Sequence, residues 1–314
     1  MFKYILKRIG LSVLILVAVS ILIYCLVRMM PPTFVLKYLP PIHTFQDEQR
    51  LLASVGLDKG IIEGYFSWLG NLFDFSNGYP VLTLGKAMTG TKGEVAGIIA
   101  NGIPKSFLVA VIATVFEFMI AIPLGITAAT HQYSVRDYVI TIFVMVGISM
   151  PSFFFGNVFK AVIPAIFPFI PPSGDGKAVN YILPIFTLVI LSIGARMRMT
   201  RTNMLEVLSS DYIRTARAKG LKESKVIYKH AFRNTLIPLV TTLAGLLPSL
   251  FSGAIITEQI FAIQGIGKQA LEYTSDGDIP FIMGYNMFLA VLSVIGILLA
   301  DIMYAVVDPR VKLE

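Results

Sequence analysis

The stretch Arg196–Arg233, RMRMTRTNMLEVLSSDYIRTARAKGLKESKVIYKHAFR, lies between two apolar segments and decides how the chain is read. It holds ten Lys and Arg (Arg196, Arg198, Arg201, Arg214, Arg217, Lys219, Lys222, Lys225, Lys229, Arg233) against three acids (Glu206, Asp211, Glu223). Ten against three leaves +7, the formal net charge of the whole protein. Within it, Ser209-Ser210-Asp211 supplies N-cap residue types. Tyr212–Lys219 is apolar on one side (Tyr212, Ile213, Ala216) and basic elsewhere. Gly220 follows, the residue that enters the left-handed region without Cβ strain at a helix end. Arg217 and Lys219 fall in the last turn, where cations interact favourably with the helix dipole. A second helix, Lys222–Asn234, is expected to run on into the next apolar segment. Charge alone is satisfied by the excess of Lys and Arg on cytoplasmic loops of membrane proteins; two helices bent at a glycine predict a docking knob instead.

Composition bounds the class. The 314 residues are 55% hydrophobic and 14% charged, with mean hydropathy +0.75, whereas soluble domains carry about 25% charged residues. This is the composition of an integral membrane protein. One cysteine, Cys25, sits in an apolar run, which excludes a disulfide framework and a cysteine metal cluster. The basic balance does not point to nucleic acid, because the excess lies beside membrane segments.

A membrane helix needs roughly 20 predominantly apolar residues, and six segments qualify: Ile9–Val27, Ser106–Thr130, Tyr138–Phe159, Val179–Ala195, Thr235–Thr257 and Ile279–Ala300. The first is too long for a signal-peptide core of about 7–15 residues and reads as a retained span. Lys3, Lys7 and Arg8 ahead of it predict a cytoplasmic N-terminus. Six crossings return Arg310 and Lys312, and the Arg196–Arg233 loop, to the same side. Glu258–Ile282, with four acids against Lys268 alone, then falls outside. The organisation expected is residues 1–30 as tail and first helix, 31–105 as an external loop, 106–307 as a five-helix core containing loop 196–233, and 308–314 as a cytoplasmic tail. In the external loop, Leu51, Leu52, Ile61, Ile62, Tyr65, Phe66 and Trp68 recur at helical spacing and predict one or two amphipathic helices, followed by an irregular Gly-rich piece, Gly78–Gly102.

The run Asp211-Tyr212-Ile213-Arg214-Thr215-Ala216-Arg217-Ala218-Lys219-Gly220-Leu221, followed by His230-Ala231-Phe232-Arg233-Asn234 and Ile237-Pro238, resembles the cytoplasmic "EAA" loop of ATP-binding-cassette (ABC) importer permeases, in particular the peptide/nickel branch. General members carry Glu-Ala-Ala six residues ahead of the glycine; here Arg214-Thr215-Ala216 stands there, a departure usual in the peptide branch. Three further matches accompany it. Tyr4-Ile5-Leu6-Lys7-Arg8 is similar to the opening of the B-type permease subunit. Glu258-Gln259-Ile260-Phe261 with Gly265-Ile266-Gly267 is similar to the branch's external Glu-x-x-Phe…Gly-x-Gly segment. Asp301-Ile302-Met303-Tyr304…Asp308-Pro309-Arg310 is similar to its C-terminal signature.

The resemblance implies an all-α membrane protein of six transmembrane helices with the type I ABC importer permease fold, in a bacterial cell membrane. It also implies partners: a second homologous permease, two cytoplasmic ATPases that hold the ATP and Mg, and an external or periplasmic substrate-binding protein. The implied substrate is an oligopeptide or dipeptide, with nickel and glutathione as alternatives within the branch. Asp211, Tyr212, Arg214, Thr215, Ala216, Arg217, Gly220 and Leu221 are the implied ATPase-coupling residues.

Other features carry two readings each. Gly265-Ile266-Gly267-Lys268 suggests a phosphate loop, but Ala262 and Gln269 occupy the places where Gly and Ser/Thr are needed, so no ATP site is expected in this chain. Glu117, an acid in mid-span, either lines a translocation path or is paired at a helix–helix contact, since intramembrane acids face a cavity or a partner. Glu258 is either a helix-terminal acid in solvent or part of an outer gate and binding-protein contact. Asp301 either pairs with Lys7 or Arg8 or is a simple interfacial acid. His43, His131 and His230 are far apart in topology, which argues against a metal site. A self-contained secondary transporter or channel is the alternative from another class; such proteins place coupling-ion sites on broken helices in corresponding halves. An intramembrane enzyme is excluded by the lack of an aspartyl pair, of Gly-x-Ser-x-Gly and of His-Glu-x-x-His.

Overall fold

A computed structural model of the chain describes residues 2–31, 36–54, 56–74, 81–90, 93–174 and 176–307. The expected Asp308-Pro309-Arg310 signature and tail 308–314 lie outside the described residues, as do parts of the Gly-rich piece. The long helices are α1 (Phe2–Arg28), α4 (Val95–Thr130), α7 (Ile182–Leu208) and α14 (Ile279–Val307). Each is long and apolar enough to cross a bilayer. Between α1 and α4 lie α2 (Phe45–Ser54), α3 (Ile61–Asn71) and a two-stranded antiparallel ladder, β1 (Phe73–Asp74) with β2 (Val81–Leu82). The two helices match the amphipathic expectation; the ladder was not foreseen, because two-residue strands carry no periodicity. α4 starts at Val95 rather than Ser106, so Gly97 and Gly102 of the supposed irregular piece are helical.

The third and fifth apolar segments are not single helices. α5 (Val135–Ser149) and α6 (Ser152–Ile166) meet at 101°. The break falls on Met150-Pro151, where the proline ring drives the preceding residue out of the α region; Met150 is extended at ψ 139°. The fifth segment divides into α10 (Arg233–Gly245), α11 (Leu247–Ser252) and α12 (Ile255–Phe261), and a hairpin then turns into α13 (Ile266–Ser275). Gly253 at φ +76° and Ala262 at φ +56° make the two turns. The stretch Pro248–Phe261 and α13 form a second bent pair, at 81°. Four straight helices and two bent pairs give up to six crossings by length and composition.

Burial explains the assembly. α4, α5 and α7 pack through small residues: Ala113, Ala121 and Ala128 of α4 face Val189, Ile193 and Met197 of α7 and Val144 of α5. Backbones approach closely at Gly125, where a Cβ would stand 2.6 Å from Cβ of Thr200 and 2.8 Å from the Met197 carbonyl oxygen, and at Gly194, against Ile148 of α5. Small residues permit this contact between membrane helices, where van der Waals packing replaces the hydrophobic drive. At the opposite end from α7's C-terminus, Tyr24, Trp68, Val95, Ile266 and Phe281 join α1, α3, α4, α13 and α14 in one apolar cluster. α1 and α14 are further tied by Arg8 Nη1 to Asp301 Oδ2 at 2.8 Å, which is the pairing considered for Asp301. Large apolar side chains are turned outward along α1 (Leu14, Leu22) and α5 (Val139, Ile142, Phe143), as a lipid-facing surface requires.

Alanine at two glycines separates contact from propensity. Gly97 has open space at its Cβ, so Gly97→Ala should leave stability unchanged or raise it by up to about 1 kcal/mol through helix propensity. Gly125→Ala should instead lose about 1–3 kcal/mol through overpacking. Thermal unfolding of the purified protein in detergent reads the difference.

Candidate functional site

The basic stretch is only partly a loop. α7 continues through Arg196, Arg198 and Arg201 to Leu208, because Met197, Thr200 and Met204 keep the helical stripe buried. The expectation that loop begins at Arg196 is therefore corrected: the projecting knob starts at Ser209. Ser210 occupies the N-cap of α8 (Asp211–Ala218), but its hydroxyl donates to the Val207 carbonyl at 2.5 Å rather than capping α8. Ile213 and Ala216 are buried against Met204, Val226, Ala231, Ile126 and Ala129, and Leu221 packs at the edge of the same cluster. The opposite face of α8 is exposed: Asp211, Tyr212, Arg214, Thr215 and Arg217. Amphipathic on so short a length, α8 is seated on the bundle by one apolar face and displays a polar one.

Gly220 is left-handed at φ +73° and turns the chain into α9 (Glu223–Lys225), a π-helical segment Val226–Phe232, and α10. The second helix of the elbow thus arises near the expected Lys222 but is π-bonded over seven residues. Arg217 closes the bend by donating from Nη2 to Glu223 Oε1 at 2.7 Å, with Nε 3.2 Å from both carboxylate oxygens. The Arg217 hydrogen bonds hold the Glu223 carboxyl below the usual carboxylate range. A depressed acid stabilises the bend above the ordinary carboxylate pKa, and the support is lost as pH falls through the lowered value; both groups are solvent-exposed, so the pair is worth little. Tyr212 Oη accepts from Asn234 Nδ2 at 2.9 Å across the elbow.

The acids within the helices are all partnered. Glu117 of α4 is buried and receives Arg196 Nε at 2.8 Å, while the guanidinium also lies over the Phe118 ring. This geometry is a helix–helix contact between α4 and α7. Asp137, in the first turn of α5, takes a two-pronged contact from Arg201, Nε at 3.1 Å and Nη2 at 2.9 Å. It also accepts from the Tyr133 backbone at 3.1 Å.

Glu258 is 2% exposed, so the reading as a solvent acid is corrected. Its carboxylate accepts from Ser106 Oγ at 2.6 Å, from the Lys268 N–H at 2.8 Å and from the Ala254 N–H at 3.2 Å. A Cβ at Gly265 would stand 2.5 Å from that carboxylate, so the glycine lets the hairpin backbone wrap it. Ser106 in turn accepts from the Ile266 N–H at 2.8 Å, so α4 and the α12–α13 hairpin are laced through one carboxylate. Asp278, fully buried, does the same nearby: Met88 and Thr89 backbone N–H groups donate at 2.6 and 2.7 Å, and Phe281 N–H at 3.0 Å. Among the described residues no group of three or more His, Cys, Asp or Glu is placed to hold a metal ion.

Comparison with known proteins bears on this arrangement. Residues 121–313 match the family model described as binding-protein-dependent transport system inner membrane component. The chain belongs to that family. Members similar to it include the oligopeptide transport system permease protein AppB of Bacillus subtilis (strain 168), 34% identical with 99% of this chain and 100% of that one covered. The dipeptide transport system permease protein DppB of Lactococcus lactis subsp. cremoris (strain MG1363) is also 34% identical, with both chains covered in full. A chain of the MetNI methionine ABC transporter, in an inward-facing conformation, shares the fold at TM-score 0.57 and 17% identity, covering 68% of this chain and 97% of that one. The protein is thus a multi-pass permease subunit of an ABC importer, with the fold that its loop motif led one to expect.

Reading the residues alone missed Arg196–Glu117, Arg201–Asp137 and Ser106–Glu258. The signal for the first two was present: an apolar run of only 17 residues, Val179–Ala195, is short for a span. Met197, Thr200 and Met204 extend its helical stripe past the arginines. Glu258 gave no such signal, since a neutral Ser partner in a distant helix leaves no pattern. Its substitution is informative. Glu258→Gln points an amide N–H toward donors and leaves buried groups unsatisfied, at about 1–3 kcal/mol each; Ser106→Ala, which removes one donor, should lose less. Thermal unfolding in detergent ranks the two.

Proposed function

We propose that this permease moves oligopeptides or dipeptides into a bacterial cell, driven by ATP hydrolysed on partner subunits seated against α8. The single observation that carries the coupling is α8 itself: one face anchored at Ile213 and Ala216, the other offering Tyr212, Arg214 and Thr215, and a left-handed glycine fixing the bend. An anchored elbow transmits a push, whereas a flexible linker would dissipate it. The peptide class is supported by what AppB and DppB are named for.

In this reading α8 and both termini face the cytoplasm, two ATPases hold the ATP and Mg, and a second homologous permease forms the pathway with this chain. A substrate-binding protein delivers peptide at the end carrying α2, α3 and the α12–α13 hairpin. Closure of the ATPases displaces α8, and the spans rock between inward- and outward-facing arrangements. Glu258 enters as the residue that fixes the outer hairpin beside the gate, and Glu117 as part of the wall behind the pathway. Asp211, Arg217, Gly220 and Leu221 shape the elbow from beneath the docking face.

The test uses the complex purified with whatever ATPases accompany it and placed in vesicles with ATP. Uptake of radiolabelled di- and tri-alanine should require those ATPases. Gly220→Val meets no steric neighbour but forces a branched side chain into the left-handed region, at about 1–2 kcal/mol. It should keep ATP hydrolysis and lower uptake about tenfold, the scale of a coupling free energy of 1–3 kcal/mol. Transport by the isolated chain, or a normal import rate for Gly220→Val, would overturn the proposal.

A further inference from the structure

The two arms leading from the α8 elbow are built differently. On one side α7 runs straight from Leu208 into the bundle and is fastened twice: Arg196 to Glu117 of α4, and Arg201 to Asp137 of α5. Between and beside these pairs the backbones touch closely, at Gly125 of α4 against Met197 and Thr200, and at Gly194 of α7 against Ile148 and Val144 of α5. On the other side the arm begins with seven π-bonded residues. Two of its side-chain hydrogen bonds to α7 go to sulfur, Thr235 Oγ1 to Met204 Sδ at 3.8 Å and Thr242 Oγ1 to Met199 Sδ at 3.5 Å. Thioether sulfur is a weak acceptor.

We propose that Arg196 and Arg201 are positioning residues for transport: they make α4, α5, α7 and α8 one rigid body, so that displacement of α8 is carried into α4 and α5 rather than into α10. An ion pair between membrane helices resists sliding, because separating it strands a charge in apolar surroundings. The forked contact of Arg201 also fixes orientation, since a planar guanidinium engages both carboxylate oxygens at once. α14, tied instead to α1 through Arg8 and Asp301, belongs to the opposing body. The inference rests on the reading of α8 as the ATPase seat.

The test again uses the complex purified with its ATPases. Cys25 is the chain's only cysteine, so a Cys25→Ser background accepts paired spin labels cleanly. One pair joins Ser209, at the elbow, to the exposed Val139 of α5; the other joins Ser209 to the exposed Ile295 of α14. Between nucleotide-free and ATP–vanadate states the Ser209–Val139 distance should keep its peak and width, while the Ser209–Ile295 distance shifts. Arg196→Glu should broaden the first distribution and lower tri-alanine uptake per ATP hydrolysed by about tenfold. The swapped pair Glu117→Arg with Arg196→Glu should restore both, which a general loss of folding would not allow. If Ser209–Val139 moves with nucleotide together with Ser209–Ile295, the rigid body is refuted; that comparison needs no ion-pair variant, so failure of Arg196→Glu to fold leaves it intact. An Arg196→Glu complex that keeps the unsubstituted distance and coupling refutes it too. Absence of any nucleotide response at either pair, or of ATPases from the preparation, refutes the docking reading instead.

Discussion

Charge that enters the apolar part of this protein is held, and most of the architecture follows from how. A carboxylate in hydrocarbon is costly unless it faces a partner or a cavity, and the chain uses two solutions. Where helices must be fixed against each other, an acid meets an arginine: Glu117 with Arg196, Asp137 with Arg201, Asp301 with Arg8. Where backbone must fold sharply, an acid gathers neutral donors: Glu258 takes a hydroxyl and two amides, and Asp278 takes amides from the segment before α4 and the start of α14. The first kind sets which helices travel together. The second holds irregular backbone that would otherwise leave N–H groups unpaired at membrane depth, where such backbone is tolerated only when buried in protein.

Much of this was legible in the residues, and the failures have physical causes. Straight spans declare themselves by length and hydropathy, so α1, α4 and α14 fall near their expected places. Gly220 was legible because a left-handed position after a short amphipathic helix selects glycine. The broken segments were not, since a proline inside an apolar run signals either a kink that neighbours repair or a full stop. At Met150-Pro151 it is a stop; Pro123 lies within α4 without ending it. Arg196 and Arg201 were counted with the elbow because charge was taken as the end of a span. In fact a helix carries arginine inward wherever an acid on a neighbouring helix meets it. At the candidate site, the exposed face of α8 followed from periodicity, while the lacing of Glu258 to Ser106 depended on a tertiary approach that no local pattern encodes.

The same division explains why the two ends of the molecule differ in texture. The α8 end is built from continuous helix and apolar seating, with Met204, Ile213, Val226 and Ala231 fully buried. The opposite end is built from short helices, a small ladder and two glycine-wrapped or loop-wrapped acids. Stiffness gathers where force is proposed to enter. Shape complexity gathers where a large partner and a soluble cargo would arrive.

The seven π-bonded residues between Val226 and Phe232 carry a consequence for how this sequence can vary. A widened turn accommodates a surplus residue within an otherwise α-helical course, and such bulges concentrate at working sites. Excising one residue there would let ordinary bonding resume, and everything downstream would swivel by about 100° around its axis, one residue's share of a 3.6-residue turn. Leu239, now packed inward, would be carried away from its neighbours along with the rest of α10. Chain length in this short interval is therefore a phase setting for the remainder of the permease, far less forgiving than residue identity on the adjoining solvent-facing surface.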